Sequence, residues 1–239
     1  MYGYGYGYYG FDWTYVLLII GMLLSLAAST RLKSTFSYYR RIRSASGLTG
    51  AETAERILRA AGITDVHVRA ISGSLTDHYD PRTKRLALSQ DVYGRTSVAA
   101  VCVAAHECGH AVQDAVGYSP LKLRAAIVPV ANIGSSLAMP LILIGLLISG
   151  DSGNMIINLG LLAFSMAFVF QLVTLPVEFN ASKRALNILS EGGLLTKEEV
   201  PMARRVLFAA ALTYVAAAIA TLLQLVRLII LFGNNNRRQ

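Results

Sequence analysis

The chain has 239 residues, of which 54% are hydrophobic and only 15% charged, whereas soluble domains carry about 25% charged residues. That balance excludes an ordinary soluble domain and points to a membrane protein. The net charge of +8 does not imply nucleic acid, because the basic residues cluster beside apolar segments, where they set topology and meet lipid headgroups.

Residues 1–12 begin with the tract MYGYGYGYYG, too glycine-rich to fold alone and suited to an interfacial aromatic anchor. Residues 13–30 are the first predicted span. No positive charge precedes it, and Arg31, Lys33, Arg40, Arg41 and Arg43 follow at once. That is the pattern of a retained anchor with its N-terminus outside, not of a cleaved signal peptide.

Residues 31–126 are expected to form a small α/β portion. Thr49 and Glu52 make a capping box for a helix running to about Ala61, with Gly62 ending it. Asp65–Ile71 alternates like a strand. Leu75–Tyr79 and Leu86–Ser89 flank Asp80-Pro81-Arg82-Thr83, which predicts a hairpin. The strand near Arg85–Ser89, just ahead of the next helix, is expected to be an edge strand. Thr96 or Ser97 then caps a helix over 97–116.

Further spans are expected at 127–149 and 155–175, joined by a polar link at 150–154. A charged segment at 176–205 leads to a last span at 206–232 and a polar tail at 233–239. Fourteen Lys and Arg lie in 31–126 and five in 176–205, with none before residue 31. The predicted arrangement is therefore four spans with both termini outside and both basic segments cytoplasmic.

The chemistry concentrates in His106-Glu107-Cys108-Gly109-His110, an HExxH motif. Residues four apart share a helical face, so both imidazoles can reach one metal ion. Zinc takes such ligands and keeps a position for water, from which Glu107 is placed to remove a proton. Gly109 inside a helix suggests a close backbone approach.

Two histidines leave a tetrahedral zinc one protein ligand short. Cys102 and Asp114 extend the same face, but successive turns rise about 5.4 Å, so they cannot converge on one ion. Asp114 is left as a group holding an imidazole N–H or as a solvated acid at the helix end. Cys108 points round the helix as a packing residue. Two cysteines six residues apart in one helix form no disulfide framework.

Glu178 is the preferred third ligand, an acid just after a span, returned to the same membrane face by two crossings. His78, in the predicted hairpin, could donate to an oxyanion or replace Glu178 as ligand. Arg227, deep in the last span, is expected to snorkel to the far surface.

The stretches SGLTGAE (46–52), LTDHYDPRTK (75–84), AAHECGHAVQ (104–113), PLKLRAAIVPVANIGS (120–135) and LVTLPVEFNASKRAL (172–186) resemble the YugP-like neutral zinc metallopeptidases of bacterial membranes. The resemblance implies a multi-span zinc protease with His106 and His110 as ligands and Glu107 as its catalytic carboxylate. More distantly the chain resembles HtpX/Ste24-type membrane proteases, in which a Glu-x-x-Ala-Asp pattern supplies the third ligand. Glu178-Phe-Asn-Ala181 fits that pattern, but Ser182 replaces its Asp, so Asn180 or Ser182 would take over the supporting hydrogen bond.

The expectation is a mainly α membrane protein with about four transmembrane helices and a small zincin-like cytoplasmic portion carrying the motif helix. Its function is read as zinc-dependent endopeptidase in the bacterial inner membrane, facing the cytoplasm. Unfolded or membrane-protein segments would be its substrates and the lipid bilayer its surroundings. The alternatives are a zinc-binding membrane protein without catalysis and a small transporter. Spans poor in ionisable residues argue against the transporter.

Overall fold

The computed structural model describes residues 12–148 and 150–233. The aromatic tract before Asp12 and the basic tail after Gly233 lie outside the described residues. In chain order the elements are α1 (Tyr15–Tyr39), α2 (Gly50–Ala60), β1 (His67–Ile71), β2 (His78–Asp80), β3 (Arg85–Ser89), α3 (Val98–Ala115), α4 (Ser119–Leu147), α5 (Asp151–Glu191) and α6 (Val200–Phe232). The protein is mainly α, with a small sheet and four helices long and apolar enough to cross a membrane: α1, α4, α5 and α6.

Those four helices pack as two antiparallel pairs with small residues at the seams. A Cβ on Gly21 of α1 would lie 3.1 Å from the Ala220 backbone of α6, and one on Gly134 of α4 would lie 2.6 Å from the Ala163 carbonyl of α5. Such seams let backbones approach where lipid offers no hydrophobic drive for association. The outward residues, among them Leu26, Ile133, Leu143 and Leu162, stay exposed, as lipid-facing side chains should.

The helices outrun the predicted spans. Hydropathy marks where lipid begins, while Lys and Arg are good helix formers that continue a helix into the headgroups. Thus α1 runs through Arg31 and Lys33 to Tyr39, and α4 starts at Ser119, ahead of Lys122 and Arg124. The largest departure is α5. Its 41 residues are ~60 Å of helix, twice a ~30 Å hydrocarbon core. Of the charged segment expected at 176–205, residues 176–191 continue α5 and residues 200–205 already belong to α6, and the predicted 150–154 link is partly the first turn of α5.

Outside those pairs the small α/β portion folds much as its local signals suggest. Thr49 accepts from the Glu52 N–H and Glu52 accepts from the Thr49 N–H, so the capping box is formed. Ser97 caps α3 through the Ala100 N–H. The sheet, however, has the order β1-β3-β2, with β3 parallel to β1 and antiparallel to β2. Placing β3 at an edge is therefore wrong. Leu86, Ala87 and Leu88 are all buried, the uninterrupted apolar run of a strand covered on both faces. The two edge strands are β1 and β2.

Helix α3 sits at the centre. Its first residues, Val98 to Ala105, carry no charge, and most are fully buried against α2, β3, the C-terminal end of α5 and the start of α6. Cys102 and Cys108 pack within this core as free thiols, and burial pushes both thiols up.

Candidate metal centre

In the second half of α3, His106 and His110 project one turn apart toward α5, with ring centroids 4.8 Å apart. Glu178 of α5 meets them, only 1% exposed. Its Oε2 lies 3.3 Å from His106 Nε2 and 3.5 Å from His110 Nε2. One ligand atom from each residue falls within 4.8 Å of the others, the grouping of a metal site. Gly109 permits it: a Cβ there would stand 2.6 Å from the Ala181 carbonyl. Any side chain would push apart the two helices that bring these groups together.

The groups behind the imidazoles orient them. Gln113 Nε2 donates to the Val177 carbonyl at 2.9 Å and to Asn180 Oδ1 at 3.0 Å. Its Oε1 is thereby left to accept from His110 Nδ1 at 3.0 Å. That fixes the proton of a neutral His110 on Nδ1 and turns the Nε2 lone pair toward Glu178. A lone pair facing a carboxylate oxygen needs a cation or a proton between them, so this donor set fits zinc, which binds imidazole nitrogen and carboxylate oxygen. Burial works against protonating His110, yet its contacts with Glu178 and the charge of Glu107 outweigh burial and raise its pKa.

Ser182 Oγ stands 3.3 Å from His106 Nδ1. Of the two residues weighed for the supporting hydrogen bond, Ser182 stands against an imidazole, whereas Asn180 accepts from Gln113 and from Arg184 Nε at 2.8 Å. Gln113 itself was missed. Its signal is position, three residues beyond His110 on the same helical face. Arg124 was missed too. From α4, its Nη1 donates to Glu178 Oε1 at 2.8 Å, occupying one carboxylate oxygen and leaving the other facing the histidines. Arg124→Gln should weaken zinc binding by ~10–100-fold, the usual effect of losing a group that orients a ligand. Competition with a chromophoric chelator measures it.

Glu107 is 7% exposed and lines a cavity of about 390 Å³ together with His110, Glu178, Arg124, Tyr214 and the β2 strand. Burial, only partly offset by the two histidines, raises its carboxyl above the usual carboxylate range. His78 lines the same cavity from β2 but stands outside the three-residue cluster. Its Nδ1 lies 2.9 Å from the Thr76 carbonyl, so a neutral ring spends its N–H there and reaches an oxyanion only as the imidazolium.

Asp114 does not hold an imidazole. It accepts from Tyr79 Oη at 2.7 Å and Lys84 Nζ at 2.6 Å, tying the β2–β3 hairpin to α3. Burial works to raise its pKa, but these two donors outweigh it and lower it. Asp77, also at the cavity, accepts from the Ser89 N–H and hydroxyl and so fixes the approach to β2. Arg227 does not snorkel alone: it stacks 4.5 Å from the Tyr15 ring and lies 3.9 Å from Asp12.

A family model described as "Putative neutral zinc metallopeptidase" matches residues 14–233. The chain is 46% identical over 218 residues to "Putative membrane protease YugP" of Bacillus subtilis (strain 168), covering 91% of this chain and 96% of that protein. No solved structure matches it. With matched family and metal-ligand cluster on the same helices, the chain belongs to this zinc metallopeptidase family of membrane proteins.

Proposed function

We propose that the protein is a zinc-dependent endopeptidase in which His106, His110 and Glu178 hold the metal and Glu107 is the general base. The observation that carries this reading is Glu107 itself. Its carboxylate faces the cavity, and among the described residues no hydrogen-bond donor engages it, whereas a purely structural zinc site has no use for a free base.

A bound zinc supplies Lewis-acid chemistry, polarising the oxygens of water and of the scissile carbonyl. Glu107 accepts the proton of the attacking water and returns it to the departing amine. Arg124 and Tyr214 line the cavity as donors able to meet the developing oxyanion, and His78 lines it from β2. The free edge of β2 borders this cavity. That supports extended polypeptide as substrate, paired to β2 as an added strand, and favours unfolded segments, loops or tails of membrane proteins. The clustering of Lys and Arg in 31–126 and 176–205 supports an inner-membrane setting with the site facing the cytoplasm.

The test uses the full chain purified in detergent, with a reduced and alkylated test protein as substrate. Removing metal with a chelator should abolish cleavage and added zinc should restore it. The same test protein in its folded form should resist. Undiminished cleavage after metal removal would overturn the reading.

A further inference from the structure

Between α1 and α6, away from the metal centre, lies a groove of about 450 Å³ lined by Arg31, Arg204 and Arg205 together with Thr35, Tyr38 and Ser34, whose hydroxyl donates to the Arg31 carbonyl. No carboxylate lines it. Among the described residues, none of the three arginines takes part in an ion pair. Arg31 rests 5.8 Å over the Phe208 ring, and Arg205 Nη1 donates to Tyr39 Oη at 3.2 Å. Two of the guanidinium groups are thus held in place by neutral partners, with their charge uncompensated. Arg204 is exposed and has no partner among the described residues.

The depth of the groove is set by the helices. Arg205 and Arg227 are 22 residues apart on α6, ~33 Å of helix. Arg227 meets Asp12 at the other end of the same helix pair. The two charged ends are therefore one hydrocarbon thickness apart, about 30 Å, which puts the groove at headgroup level. Guanidinium groups with hydroxyls beside them match phosphate oxygens, and apolar Phe208 forms a wall for the first carbons of an acyl chain.

We propose that this groove is a binding site for the phosphate headgroup of an anionic phospholipid, in the leaflet on the metal centre's side. The site requires α1 and α6 to cross the bilayer and is independent of the catalytic reading. Three uncompensated arginines in one groove select anionic over zwitterionic lipid, because a choline headgroup brings a cation to a surface that offers no carboxylate.

The experiment is native mass spectrometry of the delipidated full chain in detergent, titrated with equal phosphatidylglycerol and phosphatidylcholine. Wild type should retain one phosphatidylglycerol in preference to phosphatidylcholine. Arg204→Gln should lower that preference roughly fivefold, and Arg31→Gln with Arg204→Gln roughly 25-fold. Arg56→Gln, on the exposed face of α2 outside the groove, should leave it unchanged. Because Arg204 holds nothing else, its single variant remains informative if the double variant misfolds. Equal retention of the two lipids would overturn the proposal. So would an Arg56→Gln effect as large as that of Arg204→Gln, which would make the preference one of diffuse charge. Complete displacement of the lipid by millimolar inorganic phosphate would also overturn it, making the groove a site for free phosphate.

Discussion

Replacing Glu107 with Gln should leave zinc bound at one ion per chain and lower cleavage by roughly 10²–10⁴-fold, the range for losing a general base. The amide has the shape of the carboxylate but cannot accept the proton of water. It should also fold normally, because no donor among the described residues depends on that carboxylate. Metal analysis and single-turnover cleavage of the same preparation separate the two effects. A variant that loses its zinc would make Glu107 part of metal binding. One that cleaves at wild-type rate would move the base elsewhere.

Glu178→Ala should do the opposite and remove metal first. The substitution takes away the oxygen that faces both imidazoles, 3.3 and 3.5 Å away, and leaves Arg124 without its carboxylate. Zinc affinity should fall by more than the ~10–100-fold expected for an orienting group, and cleavage should vanish with it. Glu178→Gln should lie between, keeping an oxygen but losing its charge. Chelator competition on the three proteins gives the order. Equal zinc affinity in all three would take Glu178 out of the ligand set and return the third position to a residue from another element.

The parts of the site within one helix were legible in the sequence. His106, Glu107 and His110 are related by the helical repeat alone, and Gly109 signalled the contact now seen with Ala181. Glu178 was legible for a different reason, since an acid at the end of an apolar run is costly without a partner. Its extension to an HtpX/Ste24-type relationship rests on Glu178-Phe-Asn-Ala181 alone. Arg124 and Tyr214 were not legible, because each reaches the cavity from another membrane helix and no local pattern records which helices adjoin. Gln113 was hidden by being neutral: only the partners of its amide nitrogen reveal that its oxygen is free for His110. The strand order failed similarly. Alternation finds strands, but β1 reaches β3 by a crossover that leaves no mark on either strand.

The continuity of α5 has a practical consequence for anyone wishing to isolate the catalytic part. Both imidazoles and Glu107 belong to α3, but the carboxylate that faces them is carried on a helix rooted in the apolar spans, and the arginine that holds it comes from α4. A fragment cut to the region between α1 and α4 would contain the recognisable motif and still lack one of the three residues of the metal-ligand cluster. In this architecture a helix long and apolar enough to cross the bilayer carries one residue of the metal-ligand cluster, so the cluster cannot be separated from the membrane helices.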